Sequence, residues 1–141
     1  MTGPCAAEVS RMRLSGFRHA VWMDIHRDIQ SREDAAAFAD WCQRQHIDLA
    51  FPCVNHCTGF MTYASDIAPR SPVTDAWDPT AAVVEQCRKA GIETHAWVCI
   101  ANWGSKEVQV SAAGPRPLSQ THRDWFCVDQ TGVSMLDSPD P

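Results

Sequence analysis

The stretch from Asp78 to Ile100, DPTAAVVEQCRKAGIETHAWVCI, constrains this chain most, because it reads as one helix passing directly into one strand. Asp78 can cap the helix with its carboxylate, and Pro79 suits a first turn whose N–H has no intrahelical partner. Val83, Val84, Cys87 and Ala90 then recur at helical spacing before Gly91 stops the helix. From Ile92 to Ile100 the pattern changes to alternation, with Ala96, Val98 and Ile100 on one side and His95, Trp97 and Cys99 on the other. An apolar side packed on helices and an opposite side carrying polar and aromatic groups predict a sheet whose inner face holds a site.

The same order occurs earlier in the chain. An apolar segment begins near Phe17 and runs through Ala20, Val21, Trp22, Met23 and Ile25 as a first strand. Ser31 followed by Asp34 resembles a capping box with Asp in place of Glu. Ala35, Phe38, Ala39 and Cys42 then form the apolar stripe of a helix over about Arg32 to Gln45. Ile47 to Val54 is a second strand, with Pro52 expected near its end because it has no N–H for a ladder bond. Asn55 to Trp77 lacks periodicity and is punctuated by Gly59, Pro69 and Pro72, a long loop of the kind that often carries function. A second irregular stretch, Ala101 to Arg123, precedes a hairpin in which Trp125 to Val128 and Val133 to Leu136 flank a turn, with Gly132 available for a positive φ.

Strand, helix, strand, helix, strand is the alternation of a parallel α/β sheet, whose ligands gather beyond the carboxyl ends of the strands. A doubly wound sheet needs more strands than the sequence offers. A (β/α)8 TIM barrel typically takes about 250 residues. The expectation is therefore a partial barrel: the first three βα units plus a terminal hairpin over residues 16–141, after a loose lead-in at 1–15.

Composition narrows the function classes. The net charge is −5, and the ten arginines and two lysines form no run, so nucleic acid is not expected as a partner. No apolar run approaches the roughly 20 residues of a membrane span. The N-terminal MTGPCAAEVSRMRLSG lacks the apolar core of a secretory signal, which reads as cytoplasmic, with export or an envelope location open if the N-terminus is incomplete. The seven cysteines have no paired framework and are expected to be mostly reduced, buried and small-apolar in behaviour. Open strand edges of a partial barrel would invite self-association.

Five pieces resemble, in order, a known family. They are Arg18 to Trp22 at the first strand, Tyr63-Ala64-Ser65 in the loop after the second, Asp78-Pro79 opening a helix, Gly91 to Trp97 leading into the third strand, and Trp125 to Gly132. Together they are similar to the bacterial glycoside-hydrolase-like (β/α)8 barrels, in particular the uncharacterised family-10-like group. The resemblance implies a barrel acting on carbohydrate, no cofactor, and a catalytic carboxylate on a fourth strand, expected beyond Pro141. It also implies that this segment alone is inactive as an enzyme and supplies part of the sugar cleft.

Strand-end logic selects the candidate binding residues. Asp24 and His26 end the first strand and suit sugar hydroxyls, and Asp24 is the candidate carboxylate within the chain. Asn55 after the second strand and Asn102 after the third can donate to and accept from hydroxyls. Tyr63 is expected to present its ring over the barrel mouth, and Trp97 can floor a subsite. Cys53, His56 and Cys57 do not have zinc-knuckle spacing, so no metal is expected, although a metal-dependent hydrolase using Asp24, His26, His56 and His95 is a third reading. A non-catalytic carbohydrate-binding module is the second.

Overall fold

The computed structural model describes residues 18–57, 59–100 and 108–134, and these form an α/β structure around a parallel-strand sheet. Strand β1 (Ala20–Asp24) passes into a single helical turn, α1 (Ile25–Asp28), then helix α2 (Arg32–Arg44) and strand β2 (Leu49–His56). A two-residue strand β3 (Phe60–Met61) and a 3-10 turn at Pro72–Asp75 precede helix α3 (Pro79–Lys89). The third parallel strand comes in two pieces, β4 (Glu93–Thr94) and β5 (Trp97–Val98), and a short helix α4 (Leu118–Thr121) follows. β1 and β4 both align with Leu49 of β2, so they flank it on opposite edges.

Local chemistry starts the two long helices, α2 and α3, where the sequence predicts. Ser31 Oγ accepts the Asp34 N–H at 3.1 Å, and the Asp34 carboxylate reaches back to the Gln30 N–H at 3.0 Å. Asp78 accepts the Ala81 N–H at 2.8 Å with one oxygen and the Ala64 N–H at 3.2 Å with the other, tying the preceding loop to α3. Both helices also end alike. His46 (φ 56) and Gly91 (φ 72) take the left-handed conformation, and the following Ile47 and Ile92 N–H groups return to the carbonyls of Cys42 and Cys87, each at 2.8 Å. This is the Schellman stop, which satisfies the last helical carbonyls and turns the chain into the next strand.

The core lies on one face of the sheet. Met23, Ile25, Ala50 and Val54 meet Ala35, Ala39 and Cys42 of α2 and Ala82, Val83 and Cys87 of α3. Each fully buried aliphatic side chain such as Val83 contributes about 1.5–3 kcal/mol. Burial pushes the thiols of Cys42 and Cys87 up to about 11, so both stay protonated and pack as small apolar residues.

Several expectations give way. The first strand stops at Asp24 because that residue caps α1, accepting the His26 N–H at 3.0 Å. Pro52 sits inside β2, not near its end. Ala50 accepts the His95 N–H at 2.9 Å, so alternate β2 residues face β4 and β5, and Pro52 falls where it would have to donate to that strand. The third strand breaks there, at His95 and Ala96, and its register slips between Cys53 and Asn55. Val98 and Ile100 consequently miss the helices and stand in solvent, Ile100 at 81% exposure. The long loop contains β3, paired antiparallel with Asn55 and His56. Among the described residues the hairpin shows one bridge, Val128 to Ser134, with Gly132 at φ 81, and Leu136 lies outside them. Cys42, Cys53 and Cys87 are buried as expected, whereas Cys57 and Cys127 are exposed. No helix of the described residues is long and apolar enough to cross a membrane.

Candidate functional site

The sheet face away from the helices carries the aromatic groups. Trp22 lies opposite Phe51, and Trp97 lies opposite Cys53, whose other neighbour is Asp24. Trp22 and Trp97 belong to strands on opposite edges of β2, yet their rings meet edge to face at 4.8 Å, so they arch over the central strand. Cys53 is buried beneath this face, between Asp24 and Trp97 in the ladder and near Cys99. Its thiol donates to the Asn55 carbonyl at 3.1 Å, and burial, then Cys99 and Asp24 nearby, push it up to about 12. A thiol so placed carries no thiolate at neutral pH and is not a nucleophile. Trp22 remains 50% exposed, and the indole pair is an open apolar platform.

The carboxyl ends of β1 and β2 gather a second group. Asp24 Oδ1 accepts the His26 N–H, and the Asp24 N–H donates to Asp28 Oδ2 at 3.2 Å. Asp28 is held below its ordinary value chiefly by the hydrogen bond from Arg27, which fastens it to the turn. Asp24 Oδ2 lies 3.8 Å from His56 Nε2. The His56 ring stacks on Phe60 at 5.1 Å and meets the His26 ring edge on at 4.8 Å. Burial, the largest influence, lowers the His56 pKa; Asp24 opposes that effect and His26 adds to it. The balance favours the neutral form of His56.

The candidate residues divide accordingly. Asp24 and His26 come together with His56, whose Nε2 lies 3.8 Å from Asp24 Oδ2, while His26 supplies a ring and a backbone donor. Asn55 belongs to β2 itself and is fully buried; its amide nitrogen donates to Met61 Sδ at 3.5 Å and its Oδ1 has no partner. Tyr63 is half-buried and packs against the hydrophobic core, the place of a loop anchor. Trp97 joins the aromatic platform. His95 bonds Glu93 at 2.6 Å and stacks on Phe51. Asn102 lies outside the described residues.

Trp22 and His56 join the candidate site in the structure without having been singled out by the strand-end logic as sugar-binding residues. The alternation of Trp22 with core-facing Val21 and Met23 was the available signal for the first. A pocket of about 70 Å3 between α1 and the start of α3, lined by His26, Gln30, Thr62 and Ser71 among others, is far below the roughly 300–1,000 Å3 of ligand cavities. Among the described residues no group of three His, Cys, Asp or Glu side chains is arranged to hold a metal ion. Comparison with protein-family models, curated proteins and solved structures finds no match to the chain.

Proposed function

We propose that this chain forms the first βα units of a glycoside-hydrolase-like (β/α)8 barrel and contributes part of its sugar-binding cleft. One convergence supports the reading: an uncovered indole pair, Trp22 and Trp97, shares its sheet with Asp24, His26 and His56 at the strand ends. An exposed aromatic face suits the C–H face of a sugar ring, and a carboxylate beside imidazoles suits its hydroxyls. Hydrolysis needs two carboxyls about 5–5.5 Å apart for retention or about 6.5–9.5 Å apart for inversion. Asp24 is the chain's candidate for one of them. A non-catalytic carbohydrate-binding role is favoured by a specific observation, since Asp24 Oδ1 is committed to capping α1.

The test is binding of this chain to a glycan panel with product analysis. Saturable binding, weakened about tenfold by Trp97→Ala, is the expected result. Product formed by the chain alone overturns the expectation that the second carboxylate lies on a fourth strand; its absence is expected, and turnover of a bound glycan by a longer protein carrying that strand separates catalysis from the binding role. Folded protein that binds no glycan, while another ligand class occupies the strand ends, overturns both.

A further inference from the structure

We propose that the Trp22 and Trp97 indoles, backed by the Asp24 carboxylate, form a binding site for a free quaternary ammonium ion of the choline type. The site uses the same sheet face as the glycan reading but does not depend on it. The two rings meet edge to face, with centroids 4.8 Å apart and planes at 77°. A T of this kind has a right-angled corner on each side of its stem, bounded by a face of each ring. A cation seated in such a corner lies within about 6 Å of both centroids, the range in which a ring quadrupole attracts positive charge. Trp22 is 50% exposed and Trp97 39%, so each ring keeps open surface for a guest.

The register puts a carboxylate beside the indole pair. Asp24 follows Trp22 by two residues on β1, and both stand on the side opposite core-facing Met23. Asp24, Cys53 and Trp97 form one row across the ladder, with neighbouring strands about 4.8 Å apart. The thiol in the middle of that row reports the field, since burial, then Cys99, then Asp24 push it up. Capping α1 engages Asp24 Oδ1 as a hydrogen-bond acceptor and leaves the charge in place. Arg27 is fastened to Asp28 at 2.8 and 3.1 Å, and Arg18, at the other end of the face, to Glu93 at 2.6 Å. Among the described residues the cation held over an indole is Arg32, 5.6 Å from the Trp77 ring, which leaves the Trp22 and Trp97 pair to a guest.

The chemistry of the corner selects that guest. A neutral apolar group gains the ring contact but nothing from Asp24. A primary ammonium is strongly hydrated, and two indole faces offer no acceptor to replace its water. A trimethylammonium head needs no acceptor, and its methyl groups carry the charge directly onto the ring faces. A zwitterion with a carboxylate beside its ammonium is repelled by Asp24. The ligand is therefore a small net cation.

The experiment is a titration of the whole chain at constant ionic strength, followed by the indole N–H signals in NMR and assigned through Trp22→Phe and Trp97→Phe. The probes are choline chloride, its uncharged isostere 3,3-dimethylbutan-1-ol, and methyl β-D-glucopyranoside. The expected result is a saturable shift of the Trp22 and Trp97 signals with choline, and affinity for the isostere about tenfold weaker. Asp24→Asn keeps an N-cap oxygen but removes the charge, and it should weaken choline binding about fivefold with the fold intact by circular dichroism. Equal affinity for choline and the isostere reduces the pair to an apolar platform and overturns the proposal, as does unchanged choline affinity in folded Asp24→Asn. If that variant does not fold, the comparison of choline with its isostere in the unaltered chain decides alone. Shifts with the glucoside and none with choline overturn the ammonium site and leave the glycan reading standing. Shifts with choline and none with the glucoside support the site and count against the glycan reading.

Discussion

The two helix-to-strand crossovers of this molecule are built on one plan and differ at one backbone position. In the first, Cys42, His46 and Ile47 carry the chain from α2 into β2; in the second, Cys87, Gly91 and Ile92 carry it from α3 into β4. The closing hydrogen bonds have the same length, 2.8 Å. The first crossover places a histidine at φ 56, where a Cβ crowds the carbonyl, and the second places a glycine at φ 72 with open space around it. Tertiary packing can therefore hold a left-handed stop without glycine. The penalty falls on the crossover that leads into the central strand, which has neighbours on both edges to absorb it.

The largest expected effect asks whether the two isoleucines are equivalent. Ile92 is buried and Ile47 is half-buried, so Ile92→Ala should cost about 2–4 kcal/mol and Ile47→Ala about half as much, read from urea midpoints. Equal losses would break the comparison. Next come the caps that open the two helices. Asp78→Ala should cost about 1–2 kcal/mol and Ser31→Ala about 1 kcal/mol, because Asp78 also anchors the Ala64 amide. Gly91→Ala should destabilise by about 1 kcal/mol through backbone strain alone, since an added Cβ meets nothing within 4 Å. Smallest is His46→Gly, a gain of about 0.5 kcal/mol, in which relieved strain exceeds the added freedom of the unfolded chain. A loss there, by the same denaturation assay, would mean that the His46 side chain contributes more than its backbone strain costs.

The helices and their starts were legible in the sequence because their causes are short-range. Ser31 acts on Asp34 and Asp78 on Ala81, and the apolar spacing of Ala35, Ala39, Val83 and Cys87 marks the buried stripes. Of the two crossovers only the second stop was legible, through Gly91; nothing in the sequence marks His46 as left-handed. What could not be read depends on which edge of β2 each neighbour takes. The strand break follows from Pro52 facing one particular edge, and the Trp22 to Trp97 contact requires three strands in order. At the strand ends, Asp24 was readable as a polar terminus. Its facing of His56, and the withdrawal of Tyr63 onto the core, came from the long loop folding back through β3.

The interruption opposite Pro52 also bears on how this sheet meets other chains. A continuous edge strand offers a row of N–H and C=O groups on which a foreign strand can template. The β4 and β5 edge offers two fragments of two residues with a slipped register between them, too short and too misaligned to seed a growing ladder. Beside it stand Ile100, Val98 and the indole pair, the kind of apolar surface that fuels fibre growth when joined to an unbroken edge. Replacing Pro52 by a residue that can donate would remove the cause of the break and, among the described residues, leave a longer edge beside that apolar surface.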